Sequence, residues 1–385
     1  MKLAMYFLIL CCAFSLNLGV AKRFEYDGNY PYINSWFTAV NPIKLFKTKL
    51  EIEYVFSFYL GKECAAKCTT SPISPTYDND IYNAVRTKNI SIGYKIRTYT
   101  GDQYEGYLAT DLTSPDGNAT FDVITKAYGP SPLDAPGVLG LFVAGNRDFM
   151  MRKMFSEMGR TKQIIFRRGP FVQYLPTSVR VNPKGVFATG EEGLDGCGSF
   201  TYFPTIRNQG WKIKAGIRLA DEVFDNRTVE FSLDSLTTVP IEVYKKYFKN
   251  VKFVDDLPNL ALITGNGEFP INSSNFAQYN NKYRDELSAY VQFQPFRTSE
   301  NFILGDNFLS DYCIALRATN AEISEFEIGL ASATEIERDP KWEKDIPPAR
   351  DDEGGSGDGG KGGDSASTAA LNIMLVVVLF LGVGA

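Results

Sequence analysis

Short apolar runs separated by clusters of turn residues recur over residues 22–335, and this pattern predicts a mostly β fold. Residues 50–60 alternate apolar and polar side chains in part and predict one strand. Residues 91–113 predict a hairpin that turns at residues 100–102. Residues 302–304 form an apolar run that leads into a Gly-Asp-Asn turn and a short helical spacing. We therefore expect an all-β architecture with short helices.

Two stretches follow the periodicity of a helix rather than that of a strand. Four apolar side chains, at Met151, Met154, Phe155 and Met158, lie on one predicted helical face. Residues 240–248 begin with proline and place apolar side chains one turn apart, which predicts a second helix. Because the methionines share a continuous apolar face, we interpret them as core residues rather than as a binding surface.

The two ends of the chain carry segments that are typical of protein targeting. Residues 1–21 join a lysine, an apolar run and a small-residue cleavage site, which predicts a secretory signal peptide. Residues 338–364 predict an acidic Gly/Ser-rich stalk, and residues 365–385 a hydrophobic tail. That tail is short for a spanning helix, so we favour a GPI-attachment signal over a C-terminal transmembrane tail. The predicted attachment window consists of Gly362, Gly363, Asp364 and Ser365.

N-glycosylation sequons and the cysteine count agree with a secretory route. The sequons begin at Asn89, Asn118, Asn226 and Asn272. Four cysteines are left after removal of the signal peptide, and an even number in an oxidising compartment predicts two disulfides. Cys64 and Cys68 are close enough to close a small loop, which leaves Cys197 to pair with Cys313.

The composition disfavours several classes of function. The net charge of −5 gives no sign of nucleic-acid binding. The sequence contains no histidine, which excludes the usual Ser-His-Asp and Cys-His catalysis and imidazole-bound metals. Paired cysteines also disfavour thiolate catalysis and cysteine–zinc sites. We expect no metal and no cofactor, and any chemistry would depend mainly on carboxylates or tyrosines.

A basic cluster surrounds the first predicted helix. Its members are Arg147, Arg152, Lys153, Arg160, Lys162, Arg167 and Arg168. We interpret this cluster first as a solvated face, with contact to an anionic glycan as the alternative.

The order and spacing of several motifs resemble those of the pepsin family of aspartic proteases, over nearly all of residues 30–335. Residues 303–309 (Ile-Leu-Gly-Asp-Asn-Phe-Leu) resemble a signature of the C-terminal lobe, and residues 327–331 resemble its final strand. Residues 137–141 (Gly-Val-Leu-Gly-Leu) resemble the matching signature of the N-terminal lobe, with Pro136 where an aspartate is usual. The resemblance implies a bilobal fold with two β-barrel-like lobes around a cleft.

The same resemblance implies lobe boundaries and a flap. The N-terminal β lobe would comprise residues 22–175 and the C-terminal β lobe residues 176–337. Residues 99–106 match the family's flap motif in length and in their terminal Tyr and Gly, which would place Tyr99 on a hairpin above the cleft. Both predicted disulfides also have counterparts in the family, the longer one in some invertebrate members.

The family's reaction needs two carboxylates that share one proton, each in an Asp-Thr/Ser-Gly-Thr/Ser loop. Neither loop is intact here. A gapless alignment places Glu51 at the first acid, and one gap places Glu53 there. A gapless alignment places Phe231 at the second acid, whereas a three-residue deletion would place Asp234 there. Glu51, Glu53 and Asp234 are thus the residual catalytic candidates, and we favour a structural role for each.

The sequence therefore predicts a catalytically inactive aspartic-peptidase-like protein, anchored at the cell surface, that binds a protein or peptide partner. One alternative is an active endopeptidase with an altered acid pair. A second alternative is a structural or glycan-binding surface protein.

Overall fold

A computed structural model of the chain describes residues between 22 and 334, with gaps. The described residues are 22–26, 31–38, 43–54, 56–64, 68, 75–94, 97–113, 118–128, 135–143, 149–168, 185–233, 237–253, 256–271, 278–279, 287–289, 292–293, 301–305 and 308–334. All of them belong to one compact unit, Met1–Ala349. The predicted signal peptide, stalk, tail and attachment window (Gly362, Gly363, Asp364 and Ser365) lie outside the described residues, as do Asn272 and Asp234.

Strands account for most of the described chain, and the all-β prediction is confirmed. In chain order the strands are β1 (Lys22–Tyr26), β2 (Tyr32–Trp36), β3 (Phe46–Glu51), β4 (Phe58–Leu60), β5 (Val85–Tyr94), β6 (Arg97–Tyr107), β7 (Ala109–Thr110), β8 (Asn118–Tyr128), β9 (Gly137–Gly140), β10 (Gln163–Arg167), β11 (Gly185–Thr189), β12 (Thr201–Pro204), β13 (Lys212–Leu219), β14 (Glu222–Phe231), β15 (Thr238–Val239), β16 (Leu260–Thr264), β17 (Gly267–Ile271), β18 (Gln278–Tyr279), β19 (Leu287–Ala289), β20 (Gln292–Phe293), β21 (Phe302–Leu304), β22 (Tyr312–Ala318) and β23 (Phe326–Ser332).

The helices of the described residues are short, and all but the first lie where apolar spacing predicts them. They are α1 (Asn79–Tyr82), α2 (Phe149–Glu157), α3 (Ile241–Tyr247) and α4 (Phe308–Asp311). The predicted face of α2 is buried, with Met151, Met154 and Phe155 fully inaccessible to solvent, so its assignment to the core is confirmed. Pro240 precedes α3, where its missing N–H and fixed φ favour the first turn.

Three larger sheets divide the chain between them. An eight-stranded sheet with the order β5-β6-β8-β4-β9-β3-β2-β7 uses the first part of the chain. A seven-stranded sheet with the order β17-β16-β13-β14-β21-β15-β20 uses the later part. A six-stranded sheet, β1-β11-β10-β22-β23-β12, is antiparallel throughout and draws strands from both parts.

The same strand connection occurs once in the eight-stranded and once in the seven-stranded sheet. β3 and β4 follow one another in sequence, but β9 lies between them, parallel to β3 and antiparallel to β4. β14 and β15 repeat this arrangement, with β21 between them, parallel to β14 and antiparallel to β15. In each case the central strand is an apolar run with Leu-Gly at its end: Gly140 is the last residue of β9, and Gly305 directly follows β21.

The strand pairing corrects two predictions. Residues 50–60 are not one strand: β3 ends at Glu51 and β4 begins at Phe58, because β9 inserts its backbone between them. The hairpin is also displaced, since Tyr94 pairs with Arg97 and the predicted turn residues 100–102 lie within β6. Gly101, expected in the turn, pairs with Ile90 in the middle of the hairpin.

Two disulfides are present, with the predicted partners. Cys64 and Cys68 lie 5.3 Å apart at their Cα atoms and close a four-residue separation. Cys197 and Cys313 lie 5.9 Å apart and join positions separated by 116 residues. The longer bond ties β22 to the loop before β12, so it fastens the six-stranded sheet across a large part of the sequence.

Candidate functional site

The first candidate acid lies at the end of β3, on the same side of the strand as Lys49. Side chains two residues apart in a strand share a face, and here that face is covered by protein. Lys49 is 0% exposed and Glu51 1% exposed. The sequence therefore places an ammonium group directly beside the carboxylate and buries both.

Glu51 makes two short polar contacts through its Oε1 atom. Lys49 Nζ lies 2.8 Å from this oxygen, and the Tyr94 hydroxyl donates a hydrogen bond to it over 2.7 Å. A buried ion pair is retained in a protein only when geometry and additional hydrogen bonds offset the desolvation of both charges. The contacts to Lys49 and Tyr94 supply part of that compensation, at Oε1 of Glu51.

Aromatic rings cover the Lys49–Glu51 pair. The ring centroid of Tyr94 lies 4.6 Å from that of Tyr54 and 5.3 Å from that of Phe58. Tyr99, the predicted flap residue, stacks on Phe58 at 5.8 Å and is 1% exposed. Tyr99 is thus a core residue five positions away from Tyr94, and it is Tyr94, the last residue of β5, that contacts Glu51.

The other first-half candidate, Glu53, lies two residues beyond the end of β3 in the connection to β4. It is partly buried, and it has an interaction partner of its own. The connection closes tightly around Gly140, because a Cβ on that residue would lie 2.3 Å from the Tyr54 carbonyl oxygen. The Gly140 N–H donates to Ser57 Oγ over 3.3 Å.

The seven-stranded sheet repeats the strand register around Glu51 and Gly140, but a serine stands in place of the glutamate. Glu51 is opposite Gly140 in the register of β3 and β9, and the Leu141 N–H donates to the Glu51 carbonyl. Ser232 takes the matching place, because its N–H donates to the Leu304 carbonyl and thereby sets it opposite Gly305.

The matched position is one residue later than the gapless alignment predicts. Phe231 is opposite Leu304 and is 1% exposed, so it is a core residue that matches Leu50. The Gly305 N–H donates to Thr237 Oγ1 over 3.4 Å, as the Gly140 N–H does to Ser57. Asp234 lies outside the described residues.

A buried hydrogen bond joins the first copy of the connection to the start of β13 in the seven-stranded sheet. The Trp211 indole N–H donates to the Leu141 carbonyl over 2.6 Å, immediately after β9. Gly210 has a φ of 70°, and a Cβ there would lie 2.0 Å from the Phe142 ring. Glycine is therefore required at this crossing, which fixes the exit of β9 against the start of β13.

Two further buried groups near the site have shifted acidities. Burial raises the pKa of Tyr59 to about 12, and its hydroxyl donates to Ser35 Oγ over 3.0 Å behind β3. Burial also raises the pKa of Asp122, which accepts a hydrogen bond from Gln103 Nε2 over 3.0 Å. Asp122 is opposite Phe58 in the register of β4 and β8.

The contacts around Glu51 suit a buried, neutralised carboxylate better than a pair of carboxylates that share a proton. In an acid pair, repulsion between two carboxylates keeps one protonated and one ionised. An ammonium beside Glu51 favours the ionised carboxylate instead, and the register-matched side chain in the other sheet is a serine.

Sequence reasoning missed Lys49, Tyr94 and Ser232. The spacing of Lys49 and Glu51 is a signal for a same-face pair, but a strand pattern alone does not say that both are buried. The seven-residue spacing of the flap motif occurs twice, from Tyr99 to Gly106 and from Tyr94 to Gly101. Only the strand register shows that the second copy is the one beside the turn.

Other predicted sites fall into two groups. Asn89 and Asn226 are exposed, on β5 and β14, and Asn118 begins β8. The basic cluster is partly used by the fold, since Arg167 donates to the carbonyls of Asp195 and Thr334 and Arg168 is 3% exposed. These two arginines therefore contact the protein itself rather than forming an open cationic face.

Over the described ranges, no group of three or more Cys, Asp or Glu side chains is placed to hold a metal ion. The helices of that same part of the chain are all too short or too polar to cross a membrane. No protein-family model matches the sequence, and no curated protein is significantly similar to it.

Proposed function

We propose that this protein has a pepsin-like bilobal fold without peptidase activity, and that it acts by binding a protein or peptide partner outside the cell. The observation that carries the proposal is the buried Lys49–Glu51 pair under Tyr94. A carboxylate held by an ammonium and a phenol is not available as the base that activates a water molecule.

The repeated strand connection supports the fold part of the proposal. Two copies of one connection, each with a central strand ending in Leu-Gly, are what a two-lobed protein with related halves would contain. The six-stranded antiparallel sheet takes strands from both parts of the chain and would join the lobes.

The disulfides support the location. Disulfides form and persist in oxidising compartments, in agreement with the signal peptide, the sequons and the GPI-attachment signal read from the sequence. Release of the full chain from cells by a phosphatidylinositol-specific phospholipase would support the anchor. Retention on the cell under that treatment would favour a transmembrane tail.

A peptide-library incubation between pH 3 and pH 7 tests activity and binding together. We expect no cleavage that a transition-state-type aspartic protease inhibitor suppresses, and we expect a subset of peptides to be retained by the protein. An active aspartic protease serves as the positive control. Inhibitor-sensitive cleavage that is lost in Glu51→Gln would overturn the proposal in favour of an altered acid pair.

A further inference from the structure

One edge of the eight-stranded sheet is a long strand whose outer side faces no other strand among the described residues. β5 has ten residues and pairs through one side with β6. An open edge presents backbone N–H and C=O groups that can pair with a strand of a second molecule. β5 is therefore a route to edge-to-edge association.

The last five residues of β5 are the part of the strand better suited to such pairing. Residues 90–94 (Ile-Ser-Ile-Gly-Tyr) carry no charge and include two β-branched residues and an aromatic one. A Cβ on Gly93 would meet no atom within 4 Å, so no side chain covers the sheet face at this residue. The earlier part of β5 is different, because it carries Arg86, Lys88 and a register shift between them, which all discourage pairing.

Asn89 lies at the boundary between these two parts. It is exposed and begins the sequon Asn-Ile-Ser, so its side chain is accessible in the folded protein. Its Oδ1 atom accepts a hydrogen bond from Arg86 over 2.5 Å. An N-linked sugar is attached to Nδ2, so this hydrogen bond is compatible with glycosylation.

We propose that an N-linked glycan on Asn89 covers the open edge of β5 and keeps the protein from associating through it. The modification needs a lipid-linked oligosaccharide as donor. The Asn89 Nδ2 atom forms a bond to the anomeric carbon, the bond from that carbon to phosphate breaks, and Nδ2 loses one proton as the lipid pyrophosphate leaves. The attached glycan is bulky and hydrophilic, which suits it to shielding a charge-free strand edge.

The inference rests on the secretory routing in the proposed function and is independent of the absence of catalysis. Asn226 provides a matched control, because it is also an exposed sequon asparagine. It lies on β14 at the register shift of the β13–β14 pair, with a φ of 52°, and outside residues 229–231 that pair with β21. Its glycan would therefore stand at an interrupted ladder rather than on a regular pairing edge.

The test compares four versions of the full chain produced in glycosylating cells: wild type, Ser91→Ala, Ser91→Lys and Asn226→Gln. Both changes at Ser91 abolish the sequon and leave Asn89 and its bond to Arg86 in place, while the lysine also charges the edge. Mass spectrometry gives site occupancy, and size-exclusion chromatography with light scattering gives the associated fraction. We expect Ser91→Ala to associate several-fold more than wild type, with Ser91→Lys and Asn226→Gln close to wild type.

Three results would overturn the inference. Ser91→Ala could stay as monomeric as Asn226→Gln, which would show that the Asn89 glycan does not prevent association. Ser91→Lys could associate as strongly as Ser91→Ala, which would show that the association does not use the β5 edge. Wild type could also lack a glycan on Asn89. If such a protein carries a glycan on Asn226, only this inference fails. If it carries no glycan on Asn226 either, the result contradicts the secretory routing itself.

Discussion

At the scale of single residues, the Lys49–Glu51 pair decides what the site can do. Removing one partner of a buried ion pair leaves an uncompensated charge, which costs about 3–5 kcal/mol, whereas replacing both by neutral side chains is often close to neutral. We expect Lys49→Met and Glu51→Gln each to lower the free energy of unfolding by about that amount, and the double variant to recover most of the loss.

Urea denaturation of the wild type, the two single variants and the double variant gives the coupling directly. Tyr94→Phe is a useful companion, because it removes only the hydrogen bond to the carboxylate and should cost about 1.5–3 kcal/mol. Additive losses in the double variant would show that the two charges do not form a coupled buried pair.

Asp122 provides a prediction about pH. Burial raises its pKa above the ordinary value of 3.8, so the folded protein holds the proton more tightly than the unfolded chain does. The ionised form therefore destabilises the folded state above the raised pKa, and this penalty is relieved as pH falls through it.

Asp122→Asn keeps an acceptor for Gln103 and removes the charge. We expect the variant to be more stable than wild type at neutral pH, with the gain shrinking as the pH falls through the raised pKa and gone once the pH is below the unfolded value of about 4. The free energy of unfolding, measured against pH for both proteins, checks the sign. A variant that is less stable at neutral pH would contradict the burial penalty.

At the scale of elements, the repeated connection depends on a glycine at the end of its central strand. A Cβ at Gly140 would lie 2.3 Å from the Tyr54 carbonyl and 2.6 Å from that of Phe56. We expect Gly140→Ala to destabilise the protein by about 1–3 kcal/mol or more, because backbone must move to admit it. Gly93→Ala is the control, with open space around it and an expected change within about 1 kcal/mol. Equal thermal shifts for the two variants would contradict this view of the connection.

The elements also show how far the sequence could lead. Apolar periodicity was enough for α2 and α3, whose buried side chains follow from local spacing. It failed for residues 50–60, since the break between β3 and β4 is made by β9, a strand almost 80 residues later in the chain. It failed again for the hairpin, because Gly101 is a turn residue by type but is held in the strand by Ile90 on one side and Ile124 on the other.

The site was harder still to predict. The position of Glu51 could be read from its distance to Cys64, but its second polar contact comes from Tyr94, which the hairpin brings over it. Ser232 could not be identified from motif spacing, because its equivalence to Glu51 exists only in the strand register.

At the scale of the whole molecule, the Cys197–Cys313 disulfide is expected to dominate the covalent contribution to stability. Its 116-residue separation predicts about 4–5 kcal/mol from loss of unfolded-chain entropy, against about 2 kcal/mol for the four-residue separation of Cys64 and Cys68. We expect replacing Cys197 and Cys313 together by alanine to lower Tm more than replacing Cys64 and Cys68. The reverse order in calorimetry would show that local strain or packing, rather than loop closure, sets the effect.

The central claim is that no proton-sharing acid pair operates beside Glu51. Titration with a transition-state-type aspartic protease inhibitor, followed by calorimetry at pH 4 and pH 6, tests it more sensitively than turnover does, because such a ligand binds far more tightly than a substrate to an intact acid pair. We predict no saturable binding at either pH, in wild type or in Glu51→Gln. Stoichiometric binding with a heat that disappears in Glu51→Gln would contradict the account.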